Sequence, residues 1–309
     1  MRSWIWKGGA AKRLTSSGDV NGFWLTEAGV VFSALREKRD KERAEAGEPL
    51  TVLQLLPYDG GEARELCRLD CAVTALRFAG FDGVFARVGV EPTGDPFNSI
   101  IRLETDSSNR PSNPMINAGA IAVTTCIPGA TPGERFGHVL EYARALLDNP
   151  ELDYDKEVYR SESETGDRNR ALAYMMRASK VIDGAVPEHL EVYFKACSLS
   201  VNCEEISFLG AVLANNGISP RGGKMLIEPF HVKVIRSLMS TCGLYDYSGE
   251  FALRVGIPAK SGVGGGIMGA VPSRMGIGTY CPALDPKGNS LCGLRAMEYL
   301  SQALNLSLF

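Results

Sequence analysis

From residue 131 onward the chain falls into helix-length segments, each with one apolar face. Thr131-Pro132-Gly133-Glu134 carries a capping-box pattern, with Pro at the first helical position and Glu at the third. Phe136, Val139, Leu140, Ala143, Leu146 and Leu147 then recur at helical spacing, and Asn149-Pro150 ends the pattern. Further helices are expected over about 169–181, 187–198 and 203–216, the last capped by Asn202 with Glu205 and closed by Gly217. Another runs from Pro229 to Cys242, before Gly243. The pattern predicts a helical lobe over about 131–243.

Beyond the lobe the period changes. Residues 251–258 (FALRVGIP) alternate and read as a strand, and 267–272 and 275–281 read as two more. Asp285-Pro286-Lys287-Gly288-Asn289 is a turn, and 291–305 is a closing amphipathic helix. Upstream, 1–33 has no clear period, and 34–48 is a solvated helix or flexible segment in which five basic and five acidic residues cancel. Residues 50–57 form a buried strand, with Asp59-Gly60-Gly61 as the turn after it. Two prolines and a glycine keep 91–99 out of a helix interior, and 110–122 (RPSNPMINAGAIA) is an extended approach ending in small residues. Late strands after a helical insert predict an α+β fold: an antiparallel sheet flanked by helices, with a separate helical lobe.

Composition narrows the classes. The chain has 309 residues, 45% hydrophobic and 22% charged, with a net charge of −3. That is globular, and it offers no attraction for nucleic acid or an anionic membrane. No apolar run reaches the roughly 18 residues of a membrane span, and the N-terminal stretch is too briefly apolar for a secretory signal. The expected compartment is therefore the cytoplasm. Eight cysteines form no CxxC and are expected to be mostly small buried residues; Cys67 and Cys71 would share a helix face without making a zinc site. The three histidines, His138, His189 and His231, are expected on the solvated surface. No metal or cofactor is expected.

The chemistry concentrates near Lys260-Ser261-Gly262. A Lys-(Ser/Thr)-Gly triplet at a strand start is one signature of penicillin-recognising serine enzymes. Val263-Gly264-Gly265-Gly266 follows it, and its glycines suit close approach of a ligand to the backbone. These residues belong to a longer series of ordered stretches: 84–100, 110–122, 159–176, 192–198, 213–220, 243–272 and 275–290. Together they resemble the serine-dependent glutaminases, from residue 84 to 309 almost without interruption.

The resemblance implies a β-lactamase/DD-peptidase-like fold and hydrolysis of L-glutamine to L-glutamate and ammonia. In that family a Ser attacks the side-chain amide, a Lys three residues later takes its proton, and water hydrolyses the acyl-enzyme. By resemblance, Asn117 contacts substrate, while Glu162 and Asn169 match polar contacts to its α-amino and α-carboxylate groups. Tyr193 and Tyr245 match phenols beside the nucleophile, and Val263 the residue whose backbone N–H lines the oxyanion hole. Read alone, Asn117 is a turn former, Glu162 a surface residue, Asn169 a helix cap, and the two tyrosines core-edge aromatics. A homo-oligomer is a further implication of the resemblance.

One departure is sharp. Counting back without gaps places the family's Ser-x-x-Lys at 65–68, where the chain reads Glu65-Leu66-Cys67-Arg68 on an expected helix 65–75. None of the eleven lysines has Ser or Thr three residues before it. Arg cannot act as base near neutral pH. Cys67 is one position off, which on a helix turns it about 100° away. Residues 1–83 are therefore expected to be a divergent segment completing, or failing to complete, the α/β part, and 84–309 the glutaminase-like domain. Two origins compete for 1–83: genuine divergence, and a frameshift, wrong start or recombined segment. Three functions follow: a glutaminase, an inactive homologue that binds glutamine or glutamate, and another penicillin-recognising enzyme such as a transpeptidase. The missing dyad and the cytoplasmic character argue against the last.

Overall fold

The computed structural model describes residues 41, 42, 63, 83–101, 103 and 109–309 with their side chains, together with the backbone of residues 81–82 and of six N-terminal strands. Contacts divide the chain into two units, Met1–Ala79 and Gly80–Phe309.

In the first unit β1 (Trp4–Lys7) and β2 (Ala10–Arg13) form an antiparallel pair. A second sheet orders β3 (Phe23–Thr26), β4 (Gly29–Ser33), β5 (Thr51–Pro57) and β6 (Arg64–Leu69), again antiparallel throughout. The strand expected at 50–57 is β5. The four strands before it were not legible, because four or five residues give too few alternations to set a period. The helix expected from residue 65 is corrected. Glu65 and Arg68 lie on β6, in register with Gln54 and Val52 of β5. The apolar Thr51–Pro57 strand offers a ladder, and pairing overrides local helix preference. Residues 41 and 42 are helical; the rest of 34–48, the turn at 59–61, and Cys71 lie outside the described residues.

The second unit begins with α1 (Phe81–Phe85) and α2 (Asn117–Thr124). The helical lobe follows as α3 (Pro132–Leu147), α4 (Lys156–Thr165), α5 (Asp167–Ala178), α6 (Val186–Cys197), α7 (Cys203–Ala214) and α8 (Pro229–Cys242). Caps behave much as the sequence predicts. Asn202 and Glu205 form a reciprocal capping box on α7. Thr131 accepts from Glu134 N–H at 3.2 Å, but the Glu134 carboxylate reaches one residue further back, to Ala130 N–H at 2.8 Å. Helix α4 was not foreseen: its charged sequence buries no residue completely, so it shows little apolar face. Helix α2 was hidden by the two prolines before it.

A short 3-10 turn (Tyr245–Tyr247) leads into α9 (Ser248–Arg254), and β7 (Ala259–Ser261), β8 (Gly266–Val271), β9 (Met275–Tyr280) and α10 (Leu291–Leu304) complete the unit. The strand expected at 251–258 is thus corrected to a helix and a connection. Phe251 and Val255 are four apart and both buried, which fits a helical face as well as alternation does. The sheet is antiparallel in the order β7, β8, β9.

The sheet is covered on both sides. Along β8, Ile267 and Val271 join the cluster containing Met297 of α10, whereas Met268 and Ala270 join Val212 and Leu213 of α7. On the α7 side the contact is backbone to backbone: a Cβ at Gly210 would lie 2.5 Å from Gly269 O, and Cβ atoms at Gly276 and Gly278 would collide with the α7 backbone. A separate core joins Ile121 and Ala122 of α2, Leu172 and Met176 of α5, and Leu190 and Phe194 of α6.

Two residue-type expectations fail. Of the six cysteines described, Cys242 alone is buried. His189 is buried, with Nδ1 2.8 Å from the Arg135 guanidinium and Nε2 2.6 Å from Asp183 O. Arg135 and His189 face each other across the α3–α6 contact, which sequence spacing does not reveal.

Candidate active site

The loop at 91–99 holds the site together. Thr93 Oγ1 accepts from Asp95 N–H at 3.0 Å, an ordinary turn lock between the two prolines. Phe97 then reaches three neighbours. Its carbonyl accepts from Asn117 N–H at 3.0 Å, at the start of α2. Its ring lies 5.0 Å from that of Tyr245. A Cβ on Gly288 would come within 3.2 Å of Phe97 and 3.4 Å of Val263, so this glycine lets the 285–289 turn close against both. One residue later, Asn98 O accepts from Arg168 Nε at 2.7 Å, tying in α5.

Asn117 and Asn169 meet directly: Nδ2 of the first donates to Oδ1 of the second at 3.0 Å. Asn169 is buried inside α5 and is no cap. The α4–α5 junction is Gly166, where a Cβ would stand 2.5 Å from the Phe194 ring and 2.6 Å from Glu162 O. Without a side chain there, Glu162 and Asn169 flank one corner beside α6.

Tyr193 and Cys197 stand one turn apart on α6. The Tyr193 phenol and the Cys197 thiol lie close enough to shift each other's titration. Burial holds the Tyr193 phenol far above its ordinary range, and the Cys197, Glu162 and Tyr245 groups push it the same way. The surrounding protein pushes the Cys197 thiol up to about 11, although the residue keeps an exposed surface, as a residue at the edge of a cleft does. Both groups therefore stay protonated at neutral pH.

Tyr245 has φ +57°, in the left-handed region where a bulky residue is strained by about 1–3 kcal/mol. Its surroundings fix it there. Ser248 Oγ donates to Tyr245 O at 2.9 Å, and Tyr245 Oη donates to Ser261 O at 3.2 Å. Lys260 Nζ stands 4.6 Å from the ring centroid and also donates to Ser261 O. Burial lowers the Lys260 ammonium to about 8, against a smaller opposing effect of Cys197. The buried Tyr245 phenol is pushed up to about 12. Ser261 is fixed from behind, its Oγ donating to buried Asn289 Oδ1 at 2.6 Å.

Val263 caps the turn between β7 and β8. Gly262 N–H donates to Gly266 O at 3.0 Å and Gly265 N–H to Gly262 O at 2.9 Å, so the turn's own bonds do not use the Val263 N–H. Val263 is 48% exposed, at the rim beside Phe97 and Gly288.

All six residues singled out in this unit are thus linked through a few contacts. Asn117 touches Asn169; Phe97 joins Asn117, Tyr245 and, through Gly288, Val263; Tyr193 lies within electrostatic reach of Glu162 and Tyr245. Phe97, Cys197, Asn289 and Gly288 were missed. The only sequence signal for Phe97 was the Pro/Gly-rich loop that forbids a helix, and for Gly288 and Asn289 the turn pattern. The cluster offers one carboxylate, two amides, protonated phenols, a lysine that deprotonates near pH 8, and a Gly-rich turn with a free-standing N–H. That set suits a small zwitterion and a developing oxyanion.

Comparison with known proteins gives the same direction. The family model described as Glutaminase matches residues 68–309. Glutaminase 2 of Clostridium perfringens is 53% identical over 289 residues, covering 92% of this chain and 95% of that protein. A glutaminase of Alkaliphilus oremlandii is 50% identical over 237 residues, covering 77% of this chain and 78% of its own. Among solved structures, a Bacillus glutaminase superposes with TM-score 0.73 at 43% identity, covering 74% of this chain and 78% of the other. Alignment over 92% of the chain also carries the likeness upstream of residue 84, further than the quoted motifs reach. With its β-lactamase-like α+β architecture and this breadth of likeness, the chain belongs to the glutaminase family.

Proposed function

We propose that the cluster around Asn117 and Asn169 is the substrate site of an L-glutamine amidohydrolase, releasing L-glutamate and ammonia. The observation that carries this is the Asn117–Asn169 hydrogen bond beside Tyr193, Tyr245 and Glu162. Glu162 and Asn169 take the α-amino and α-carboxylate groups, and Asn117 adds an amide contact. A substrate ammonium supplies the cation that a half-buried carboxylate needs. Tyr193 and Tyr245 stand protonated beside the reacting amide, and the Val263 N–H faces the oxyanion.

A second reading rests on Glu65 and Arg68. With neither nucleophile nor base at 65–68, the chain binds glutamine and glutamate but turns glutamine over very slowly. In a serine enzyme, loss of the reacting residues lowers turnover about 10⁶-fold while ligand contacts persist. Calorimetric titration with glutamate and ammonia release from glutamine, on one purified sample, separate the readings. Binding with ammonia release supports the first, and binding without it the second. Absence of binding rejects the site itself. If ammonia is released, Cys67→Ala tests the thiol that lies between positions 65 and 68 in the sequence.

The N-terminal segment 1–83 has two proposed origins, divergence and a recombined or frameshifted stretch. Alignment of relatives over 92% of the chain supports divergence; the Glu65 and Arg68 substitutions support the other, and resequencing the coding region decides. A cytoplasmic location and a homo-oligomeric state complete the proposal. The six described cysteines, all free thiols, fit a reducing compartment. Exposed Leu253, Tyr280, Tyr299 and Phe309 fit a subunit contact, tested by sedimentation.

A further inference from the structure

Two thiols that the site does not use face each other behind its Gly-rich turn. Cys281 follows β9, and Cys292 is the second residue of α10. The intervening segment folds back through a bridge between Leu284 and Ser290, which sets the two side chains beside each other. Three contacts hold the ends together. Ser290 Oγ donates to Cys281 O at 3.0 Å, and Leu291 N–H donates to Ala283 O at 2.9 Å. Gly293 packs where a Cβ would lie 2.9 Å from Thr279 Oγ1. Cys281 N–H donates to Gly265 O at 2.9 Å, so the pair abuts the turn that carries Val263. Cys292 is exposed and Cys281 partly exposed, which leaves both open to a reagent.

We propose that Cys281 and Cys292 form a dithiol modification site that small disulfides oxidise to an intrachain disulfide. The surroundings assign the order of attack. The backbone N–H groups of Ala283 and Cys292 and the neighbouring Cys292 thiol lower the pKa of the Cys281 thiol. Cys292, beside it, is raised. Cys281 therefore ionises first and attacks one sulfur of the reagent disulfide. A mixed disulfide forms, the reagent S–S bond breaks, and one thiol leaves with the proton that Cys281 gave up. Cys292 then loses its proton, attacks the Cys281 sulfur and expels the second thiol. Two protein thiols are oxidised and one reagent disulfide is reduced to two thiols.

The test exposes the full-length chain to oxidised glutathione, alkylates the remaining thiols, and maps a non-reduced tryptic digest by mass spectrometry. The expected product links peptide 275–287 to peptide 288–295, with loss of two hydrogens, and reverts with a reductant. Cys292→Ser is expected to stop at glutathione on Cys281. Cys281→Ser is expected to slow modification of Cys292 by about tenfold or more, since the more ionised partner is gone. Recovery of both peptides unlinked, reduced or separately glutathionylated, while other cysteines of the chain react, overturns the proposal. Unchanged modification of Cys292 in Cys281→Ser overturns the order of attack.

Discussion

Asn169 shows how one buried amide orients another. Its Oδ1 accepts from Asn117 at 3.0 Å, which fixes the orientation of both side chains. Asn169→Leu leaves the Asn117 N–H group without its acceptor in a half-buried setting, at about 1–3 kcal/mol. Glutamate affinity measured by calorimetry is expected to fall about tenfold or more, and Asn169→Asp, which keeps the acceptor for Asn117 but adds a negative charge beside the substrate carboxylate, is expected to lose at least as much. Lys260 gives a pH signature. Its folded value, about 8, lies below the ordinary 10.5, so the unfolded chain binds more protons between these values. Stability contributed at this site therefore rises with pH through that window, and below pH 8 the cost of the buried ammonium is present in full. The urea midpoint of the native chain relative to Lys260→Met is expected to improve between pH 7 and 9.5. A pH-independent difference contradicts the burial of the charge.

At the scale of elements, the α7–sheet contact depends on glycine. Gly276 faces the α7 backbone at Ser207 and Ala211, so Gly276→Ala pushes the helix from β9. The expected cost is about 1–3 kcal/mol, read as a lower urea midpoint. Gly264→Ala, a glycine whose Cβ would meet open space, is the control and is expected to change the midpoint little. The same glycines explain why β9 was legible as a strand while its contact with α7 was not. Alternation of Met275, Ile277 and Thr279 with glycines gives the period, but nothing in α7 says which surface its small residues meet. Helix α9 shows the reverse case. Phe251 and Val255 satisfy either period over a short run, and burial against Leu244 and Ile257 selects the helix.

For the molecule as a whole, the decisive segment is β6. An i, i+3 spacing suits one turn of a helix, whereas 65–68 pairs as a strand, with a register shift that sets Glu65 and Arg68 opposite Gln54 and Val52. Glu65→Ser with Arg68→Lys is therefore expected to leave ammonia release at its starting level, because the backbone at 65–68 is a paired strand and not the helical turn that the family's dyad spacing suits. Recovery of glutamine-specific release by this double variant is the result that refutes it, and it would mean that 65–68 adopts a helix in solution. Glutamate binding is expected in the native chain and the variant alike, since every proposed contact lies in the unit Gly80–Phe309.

The sequence by itself determined the α+β class, the lobe helices other than α4, with caps at Thr131 and Asn202, strands β5, β8 and β9, and the ordered motifs that mark the family. These are local properties: a cap, a period or a turn is written in consecutive residues, and each is favourable without reference to distant chain. The tertiary structure alone decided that Asn117 meets Asn169 across 52 positions, that Phe97 bridges α2, Tyr245 and Val263, and that His189 is buried against Arg135. It also decided that 64–69 pairs as a strand and 248–254 coils as a helix. In each of these the local preference is small or divided, and the outcome is set by which apolar surface or hydrogen-bond ladder the fold brings alongside.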